Sequence, residues 1–182
     1  MPLLAQNAKN RVILGLMTFG PDESAGARIT SRSEYNKCLD YFQSQGYNEV
    51  DTARAYINGQ QEAFTREAEW KERGLKLATK CYPKDPGMHS KEQLKGFCNK
   101  SLSELGTDCV DIFYLHAPDR SVAFEETLEA CNELHKEGKF VELGLSNFAA
   151  WEVAEVVITC RKNGWVLPTV YQAMYNAISK PS

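Results

Sequence analysis

The sequence predicts an α/β fold of the (β/α)8 TIM-barrel type, incomplete here at about six of the eight strand–helix units. First, short runs rich in Val, Ile, Leu and Tyr alternate with amphipathic segments along the 182 residues. Second, these runs recur about every thirty residues, which is the size of one strand–helix–strand unit. Third, polar side chains stand at the C-terminal ends of several runs, where barrel enzymes build their sites. Such alternation gives a parallel sheet, and the strand-end chemistry favours the barrel.

Six segments have the composition of strands. They cover residues 11–16, 47–53, 75–81, 110–116, 141–146 and 169–175. Their apolar centres are typical of strands buried on both faces of a parallel sheet. The first strand runs into the sequence LMTFG at 16–20, which lacks the glycine fingerprint of doubly wound dinucleotide-binding folds. This difference favours the barrel over the doubly wound alternative.

Helical segments are predicted between the strands, at 33–45, 60–73, 91–105, 124–136 and 150–162. In the first helix Tyr35, Leu39 and Phe42 form one apolar stripe at helical spacing. The third helix has Ser90 at a plausible N-cap position and Gly106 where a C-cap glycine belongs. The second helix is strongly charged, and we expect most of it to be exposed.

Composition and charge narrow the class of protein. A net charge of −3 gives no footprint for nucleic acid or an anionic membrane, and no apolar run is long enough to span a bilayer. Six cysteines without a C-x-x-C pair are typical of reduced, mostly buried thiols and not of a metal site. Residues 1–10 lack the features of a targeting signal. We therefore expect a cytoplasmic protein with residues 1–182 as one domain; formation of a homo-oligomer is left open.

Four polar residues at the ends of the predicted strands are candidates for chemistry, although each has a plain structural alternative. Asp51 closes the second strand and could be a turn cap, and Tyr56 in the following loop could serve packing. His116 ends the fourth strand and could be a satisfied core histidine. Lys80 at the end of the third strand is less ordinary, because a lysine is rarely buried without a partner.

The four residues are stronger candidates as a group than singly, because the C-terminal ends of barrel strands converge on one side of the barrel. Asp51 can pair with Lys80, and the Lys80 charge is expected to lower the pKa of Tyr56 from its usual value of about 10. Such a phenol can give or take a proton, and a neutral His116 can orient a substrate oxygen. No nucleophile–base pair or metal cluster is evident, which favours proton-coupled hydride transfer over hydrolysis.

The motifs resemble those of the aldo-keto reductase family. Residues 51–62, DTARAYINGQQE, look like its D-T-A-x-x-Y-x-x-G-x-x-E signature, and Lys80 stands at the position of the family lysine. Residues 114–116 (YLH) are similar to its histidine strand, 138–148 (GKFVELGLSNF) to its G-K…G-x-S-N-F segment, and 168–176 (PTVYQAMYN) to its P-x-x-x-Q-x-x-Y-N segment. The phrases HAPD at 116–119 and YQAMYN at 171–176 look most like the aflatoxin-aldehyde reductase branch.

The resemblance implies an activity and a set of roles. It implies NADPH-dependent reduction of aldehydes and some ketones, with Tyr56 as proton donor, Lys80 paired with Asp51, and His116 orienting the substrate carbonyl. It also implies that the nicotinamide end of NADPH is held by residues after several strands. These cofactor-binding residues are Met17, Thr18, Asp51, Ser146, Asn147 and Gln172.

The chain departs from the family pattern in its length. A complete barrel of this type takes about 250 residues, so two strand–helix units are expected to be missing. In the family that region also carries contacts to the adenosine phosphate. An open sheet would leave its first and sixth strands as unpaired edges. The alternative expectation is therefore a catalytically incompetent, truncated aldo-keto reductase that acts as a binding or regulatory subunit.

Overall fold

The computed structural model describes residues 11–178, and there it confirms the predicted alternation of strands and helices. The described part leaves out residues 1–10 and 179–182. The prediction that residues 1–10 hold no targeting signal therefore falls outside it. The strands are β1 Ile13–Gly15, β2 Glu49–Asp51, β3 Lys76–Cys81, β4 Val110–Leu115, β5 Phe140–Ser146 and β6 Pro168–Gln172. The helices are α1 Arg32–Ser44, α2 Gln61–Glu67, α3 Lys91–Leu105, α4 Phe124–Lys136 and α5 Ala150–Asn163. A short 3₁₀ turn occupies Glu23–Ala25, and Tyr56–Gly59 forms a kinked turn in which Ile57 and Asn58 are not helical.

The six strands form one parallel sheet in the order β1-β2-β3-β4-β5-β6 and curl into half a barrel. The curl is large enough for Gln172 on β6 to donate a hydrogen bond to Asp51 on β2, at 3.2 Å between Nε2 and Oδ2. Within residues 11–178, β1 and β6 are the two edges of this sheet. The incomplete TIM-barrel fold predicted from the sequence is confirmed.

The register of the strands places the candidate residues on the concave face of the sheet. Residues paired across parallel strands share a face, and neighbours along a strand alternate. Lys80 is in register with Tyr114 on β4, and Ser146 is in register with Gln172 on β6. Asp51, paired with Ala78, lies on the same face, since Ala78 is two residues from Lys80. The polar residues therefore line the inside of the half-barrel.

The convex face of the sheet carries the main hydrophobic core. Leu77, Phe113 and Leu143 on three central strands are fully buried together with Leu94 on α3 and Leu128 on α4. A smaller apolar cluster on the concave face consists of Ala78, Ile112 and Tyr114. Because both faces are covered, the central strands are apolar along most of their length, as the sequence predicted. This packing fixes β3 and β4, on which the candidate site depends.

The ends of α3 confirm both predicted cap positions, although the N-cap residue lacks a side-chain hydrogen bond. Gly106 adopts the left-handed conformation at the end of α3, with φ of 70°, as expected of a C-cap glycine. Ser90 precedes α3, but its side chain makes no capping hydrogen bond. Instead, the amide of Lys91 donates to the Glu126 carboxylate of α4 at 3.0 Å. A side chain from another helix has replaced the local cap, which spacing along the sequence does not reveal.

The prediction of a long, exposed second helix over 60–73 was wrong. The helix ends at Glu67, and Glu69 takes a left-handed φ of 58°, which starts a series of turns. The segment is also partly buried: Glu62 and Trp70 are almost inaccessible, and the Trp70 indole donates to the Leu105 carbonyl at 3.0 Å. Packing of this segment against α3 therefore outweighs its polar composition.

The strands next to the candidate site are shorter than predicted. β2 ends at Asp51, and the next residue, Thr52, donates both its amide and its hydroxyl to the Ala78 carbonyl, at 2.9 and 2.7 Å. β6 ends at Gln172, and Tyr175, predicted as its last residue, is 96% exposed. No helix in the part of the chain described has the length and apolar character needed to cross a membrane.

Candidate active site

Lys80 is the centre of the candidate site. Its side chain is completely buried, and its ammonium group has three hydrogens to donate. The structure supplies three acceptors: Asp51 Oδ2 at 2.5 Å, the Thr52 carbonyl at 2.9 Å and the Tyr56 hydroxyl at 3.2 Å. Each hydrogen has a defined partner, so the buried charge is paired and its direction is fixed. The predicted pairing of Lys80 with Asp51 is present.

The Tyr56 hydroxyl is placed to donate its proton away from Lys80. A lysine ammonium is only a donor, so the Tyr56 oxygen must accept in their 3.2 Å hydrogen bond. The phenolic hydrogen is left free for another acceptor. The Tyr56 side chain is half-buried, and its ring lies with its centroid 5.0 Å from the Lys80 nitrogen. This arrangement suits a phenol that transfers a proton to a bound oxygen.

The pKa of Tyr56 does not follow the prediction from the sequence. Burial raises it to about 12, and the negative charge of Asp51 raises it further. Lys80 was expected to lower this pKa, but Asp51 lies against the ammonium and offsets its field. Burial also lowers the pKa of Lys80, while Asp51 opposes that change. Tyr56 is consequently a neutral phenol at physiological pH, which is the form that can donate.

His116 follows β4 and closes another side of the site. Its amide donates to the Cys81 carbonyl at 2.9 Å, and its ring meets the Tyr56 ring edge-on at a centroid distance of 5.9 Å. Burial, and then the positive charge of Lys80, lower the pKa of His116 to about 4. The imidazole is therefore neutral, as predicted. Its Nδ1 atom is buried without a hydrogen-bond partner among the described residues.

Ser146, Asn147 and Gln172 lie together at the ends of β5 and β6. The Asn147 side chain donates to the His116 carbonyl at 2.9 Å and to Ser146 Oγ at 3.1 Å. The backbone N–H of Asn147 donates to the Gln172 carbonyl. Asn147 has a φ of 60°, so the chain turns sharply at the strand end. Since Ser146 Oγ already accepts, its hydroxyl hydrogen can be donated to a ligand. These residues are linked to Asp51 through the Gln172 side chain.

Met17 and Thr18 follow β1 and are less closely tied to the site. Leu16, one residue earlier, donates its amide to the Asp51 carbonyl at 2.9 Å. Met17 is 59% exposed, and the Thr18 carbonyl accepts from Arg28 and Ile29 on the way out of the loop. The structure thus brings these residues near Asp51 through the backbone. It shows no hydrogen bond from their side chains to Asp51, Tyr56, Lys80 or His116.

Sequence reasoning missed three contributors to the site. The Thr52 carbonyl accepts from Lys80, and the Tyr114 ring centroid is 5.7 Å from the Lys80 nitrogen. Tyr82, 45% exposed, meets the His116 ring edge-on at 5.4 Å. An exposed aromatic directly after a buried strand was a signal for Tyr82. A backbone carbonyl such as that of Thr52 cannot be predicted as a hydrogen-bond acceptor from the pattern of side chains.

The described part of the chain holds no metal-binding cluster, and its cysteines are free thiols. Within residues 11–178 no group of three or more His, Cys, Asp or Glu side chains is arranged to hold a metal ion. The six cysteines are free thiols, four of them buried, with Cys38 half-buried and Cys109 exposed. Burial raises the pKa of Cys81 to about 12, so the thiol nearest to Lys80 in sequence is protonated and unreactive.

The parallel half-barrel with helices on its convex face and polar groups on its concave face defines an incomplete α/β barrel, and comparison with known proteins gives its family. The sequence model described as "Aldo/keto reductase family" matches residues 11–182. The chain belongs to the aldo/keto reductase family. It is 43% identical over 179 residues to the human protein named aldo-keto reductase family 7 member A3, covering 95% of this chain. It is 48% identical over 172 residues to human aflatoxin B1 aldehyde reductase member 2, covering 92% of this chain.

The chain spans about half the length of these relatives, 51% of the first and 46% of the second. A similar structure is that of the thermostable aldo-keto reductase Tm1743, solved with the inhibitor epalrestat. The superposition has a TM-score of 0.78 at 24% identity and covers 98% of this chain and 63% of that one. At this identity the likeness supports the barrel fold alone. The family resemblance predicted from the motifs is confirmed.

Proposed function

We propose that this chain carries the active site of an NADPH-dependent reductase of aldehydes and some ketones, with Tyr56 as the proton donor. Aldo-keto reductases act on small carbonyl substrates and generally use NAD(P)H. The observation that carries the proposal is the 3.2 Å hydrogen bond from the buried Lys80 ammonium to the Tyr56 hydroxyl. Because the phenol oxygen accepts in this bond, the phenolic hydrogen is left free to be donated to a substrate oxygen. Four of the similar relatives are named as aldehyde reductases.

Lys80 and Asp51 assist the proton transfer in the proposed mechanism. As Tyr56 gives its proton to the carbonyl oxygen, negative charge develops on the phenol oxygen. Lys80 already donates a hydrogen bond to that oxygen and stabilises the charge without rearranging. Asp51 keeps the ammonium charged inside the fold and aimed at the phenol. The neutral His116 ring beside Tyr56 donates to the carbonyl oxygen and orients it.

The residues at the ends of β5 and β6 fit the nicotinamide end of NADPH. A carboxamide needs both donors and acceptors, and Ser146, Asn147 and Gln172 provide a hydroxyl and two amides there. Asn147 is exposed, and the Ser146 hydroxyl has a hydrogen to donate. Met17 and Thr18 complete the proposed binding residues on the side of β1. A bound NADPH supplies the hydride that the carbonyl carbon accepts.

The test is turnover by the 182-residue chain and by its Tyr56→Phe variant. We expect the chain to consume NADPH with a small aromatic aldehyde, and Tyr56→Phe to lower the rate by about 10²–10⁴-fold, because the general acid is removed. NADPH affinity, measured by fluorescence titration, should stay nearly unchanged. Comparable loss of affinity and rate would contradict the assigned role.

A binding or regulatory subunit is the alternative outcome of the same experiment. NADPH binding without turnover, in a folded chain, would favour that function over catalysis. The cytosol remains the proposed compartment, because six free thiols are typical of a reducing environment. Residues 1–182 are proposed to act as one domain.

A further inference from the structure

The loop that carries Tyr56 is held in an unusual conformation. Directly after Tyr56, three residues have positive φ: Ile57 at 47°, Asn58 at 51° and Gly59 at 83°. A β-branched residue such as Ile rarely adopts this region, because its side chain collides with the backbone. Such conformations persist only where the surroundings impose them, and they concentrate at functional sites. The groups that impose this left-handed conformation on residues 57–59 therefore control the position of the Tyr56 side chain.

Arg54 spans this loop from the inside. Its Nη1 atom donates to the Gly59 carbonyl at 3.1 Å and so joins the two ends of the loop. The same nitrogen lies 3.5 Å from a Glu62 oxygen and 3.9 Å from a Glu104 oxygen. The Arg54 side chain is only 22% exposed, so these charges interact with limited screening. Arg54 is thus the cation that closes the Tyr56 loop.

Glu62 connects Arg54 to the strand that carries Lys80. Its side chain is completely buried, and its second oxygen accepts a 2.6 Å hydrogen bond from the Thr79 hydroxyl. Thr79 immediately precedes Lys80, and the Arg54 amide donates to the Lys80 carbonyl at 3.3 Å. One chain of contacts therefore runs from the Lys80 strand through Glu62 and Arg54 to the Gly59 carbonyl.

We propose that Arg54 is a positioning residue that sets the Tyr56 hydroxyl against the Lys80 nitrogen. The proposal rests on the function proposed above for Tyr56. Without Arg54, the Gly59 carbonyl and the buried Glu62 carboxylate lose their cation, and the left-handed residues are free to relax. Tyr56 adjoins them, so its hydroxyl moves away from Lys80.

Amide hydrogen exchange on the Arg54→Met variant tests the structural part without any need for turnover. The Tyr56 amide donates to the Ala53 carbonyl and the Gln60 amide to the Ile57 carbonyl, so both report on the loop. We expect these two amides to exchange about tenfold faster or more in the variant, because the loop opens locally. Amides in β4 should be unchanged. Unaltered exchange at both loop amides would overturn the proposal.

A double-mutant cycle with Tyr56→Phe tests the functional part. In the wild-type background, Arg54→Met should lower kcat/KM about 10- to 100-fold, since a small misplacement of a reacting group is costly. In the Tyr56→Phe background the same substitution should change the residual rate by less than about twofold, because there is no longer a hydroxyl to position. Equal losses in both backgrounds would show a merely structural arginine.

Arg73→Met is the matched control. Arg73 also joins a backbone carbonyl, that of Ala68, to a carboxylate, that of Asp40, but neither partner belongs to the Tyr56 loop. It should leave loop exchange and the rate unchanged. Arg54→Lys keeps a cation beside Glu62 but lacks the planar guanidinium, so we expect it to restore part of the loop protection and of the rate. This variant replaces Arg54→Met in both tests if the methionine variant does not fold. Full activity of Tyr56→Phe would reject the proposed function, while the exchange result would still decide whether Arg54 holds the loop.

Discussion

At the scale of single residues, the buried ion pair of Lys80 and Asp51 carries the most consequence. A lone ammonium in this position would be costly, because its three donors would lose water. The Gln172 side-chain amide also donates to Asp51. The Lys80 charge is compensated by Asp51 and the Asp51 charge by Lys80, so each needs the other. Breaking one side therefore leaves an uncompensated charge on the concave face.

Replacing Lys80 by methionine should destabilise the fold as well as remove activity. The unpaired Asp51 carboxylate is expected to lower the free energy of unfolding by about 3–5 kcal/mol, as measured by urea denaturation. The double variant Lys80→Met with Asp51→Asn should recover much of this loss, because no charge remains buried. If the double variant is as unstable as the single one, the loss reflects packing and not the charge.

At the scale of elements, the close approach of β4 and β5 supports the site. Gly144 faces Tyr114 across these strands, and a Cβ at Gly144 would collide with the Tyr114 ring. The same ring lies under the Lys80 nitrogen at 5.7 Å. Glycine at this position therefore lets the Tyr114 ring support the cation.

Gly144→Ala should consequently overpack the concave face. We expect a loss of about 1–3 kcal/mol in the free energy of unfolding, because Tyr114 must move. Gly15→Ala is the matched control, as Gly15 also lies in a strand but has open space where a Cβ would stand. The two variants should differ clearly in thermal denaturation. Equal stability of the two would contradict the steric explanation.

The second helix shows where element prediction from sequence fails. Residues 60–73 are rich in charge, and local composition predicted a long exposed helix. The structure buries Glu62 because Thr79 and Arg54 satisfy its carboxylate, and it buries Trp70 because the Leu105 carbonyl accepts from the indole. Those partners come from distant parts of the chain, so no local pattern contains them. The other four helices were predicted within a residue or so because their apolar stripes and end residues are local signals.

At the scale of the whole molecule, the inward-facing histidine makes stability depend on pH. The folded-state pKa of His116 is about 4, against an ordinary value of 6.5, so the unfolded chain takes up its proton first on acidification. Stability contributed by this residue is complete above pH 6.5 and is lost as the pH falls toward 4. Burial lowers the pKa of His89 as well, which acts in the same direction.

A comparison of the chain with its His116→Gln variant isolates this contribution. Between pH 6.5 and 4 the wild-type free energy of unfolding should fall relative to the variant, by up to about 1.4 kcal/mol per pH unit. The slope should be smaller than this limit, since the ring is partly open to solvent. Parallel curves for the two proteins would show that His116 titrates normally in the fold.

The sequence by itself determined the order of strands and helices, the family motifs and the candidate residues at the strand ends. These features depend on local periodicity and on short, specific patterns such as that at 51–62. Only the tertiary structure decided how Tyr56, Lys80, Asp51 and His116 meet, and that burial with Asp51 raises the pKa of Tyr56. It also brought Arg54 into hydrogen-bond contact with the Gly59 carbonyl and Glu62 into contact with Thr79. The physical reason is that field, burial and loop strain depend on groups brought together from distant parts of the chain, as when Gln172 reaches Asp51 across the curled sheet.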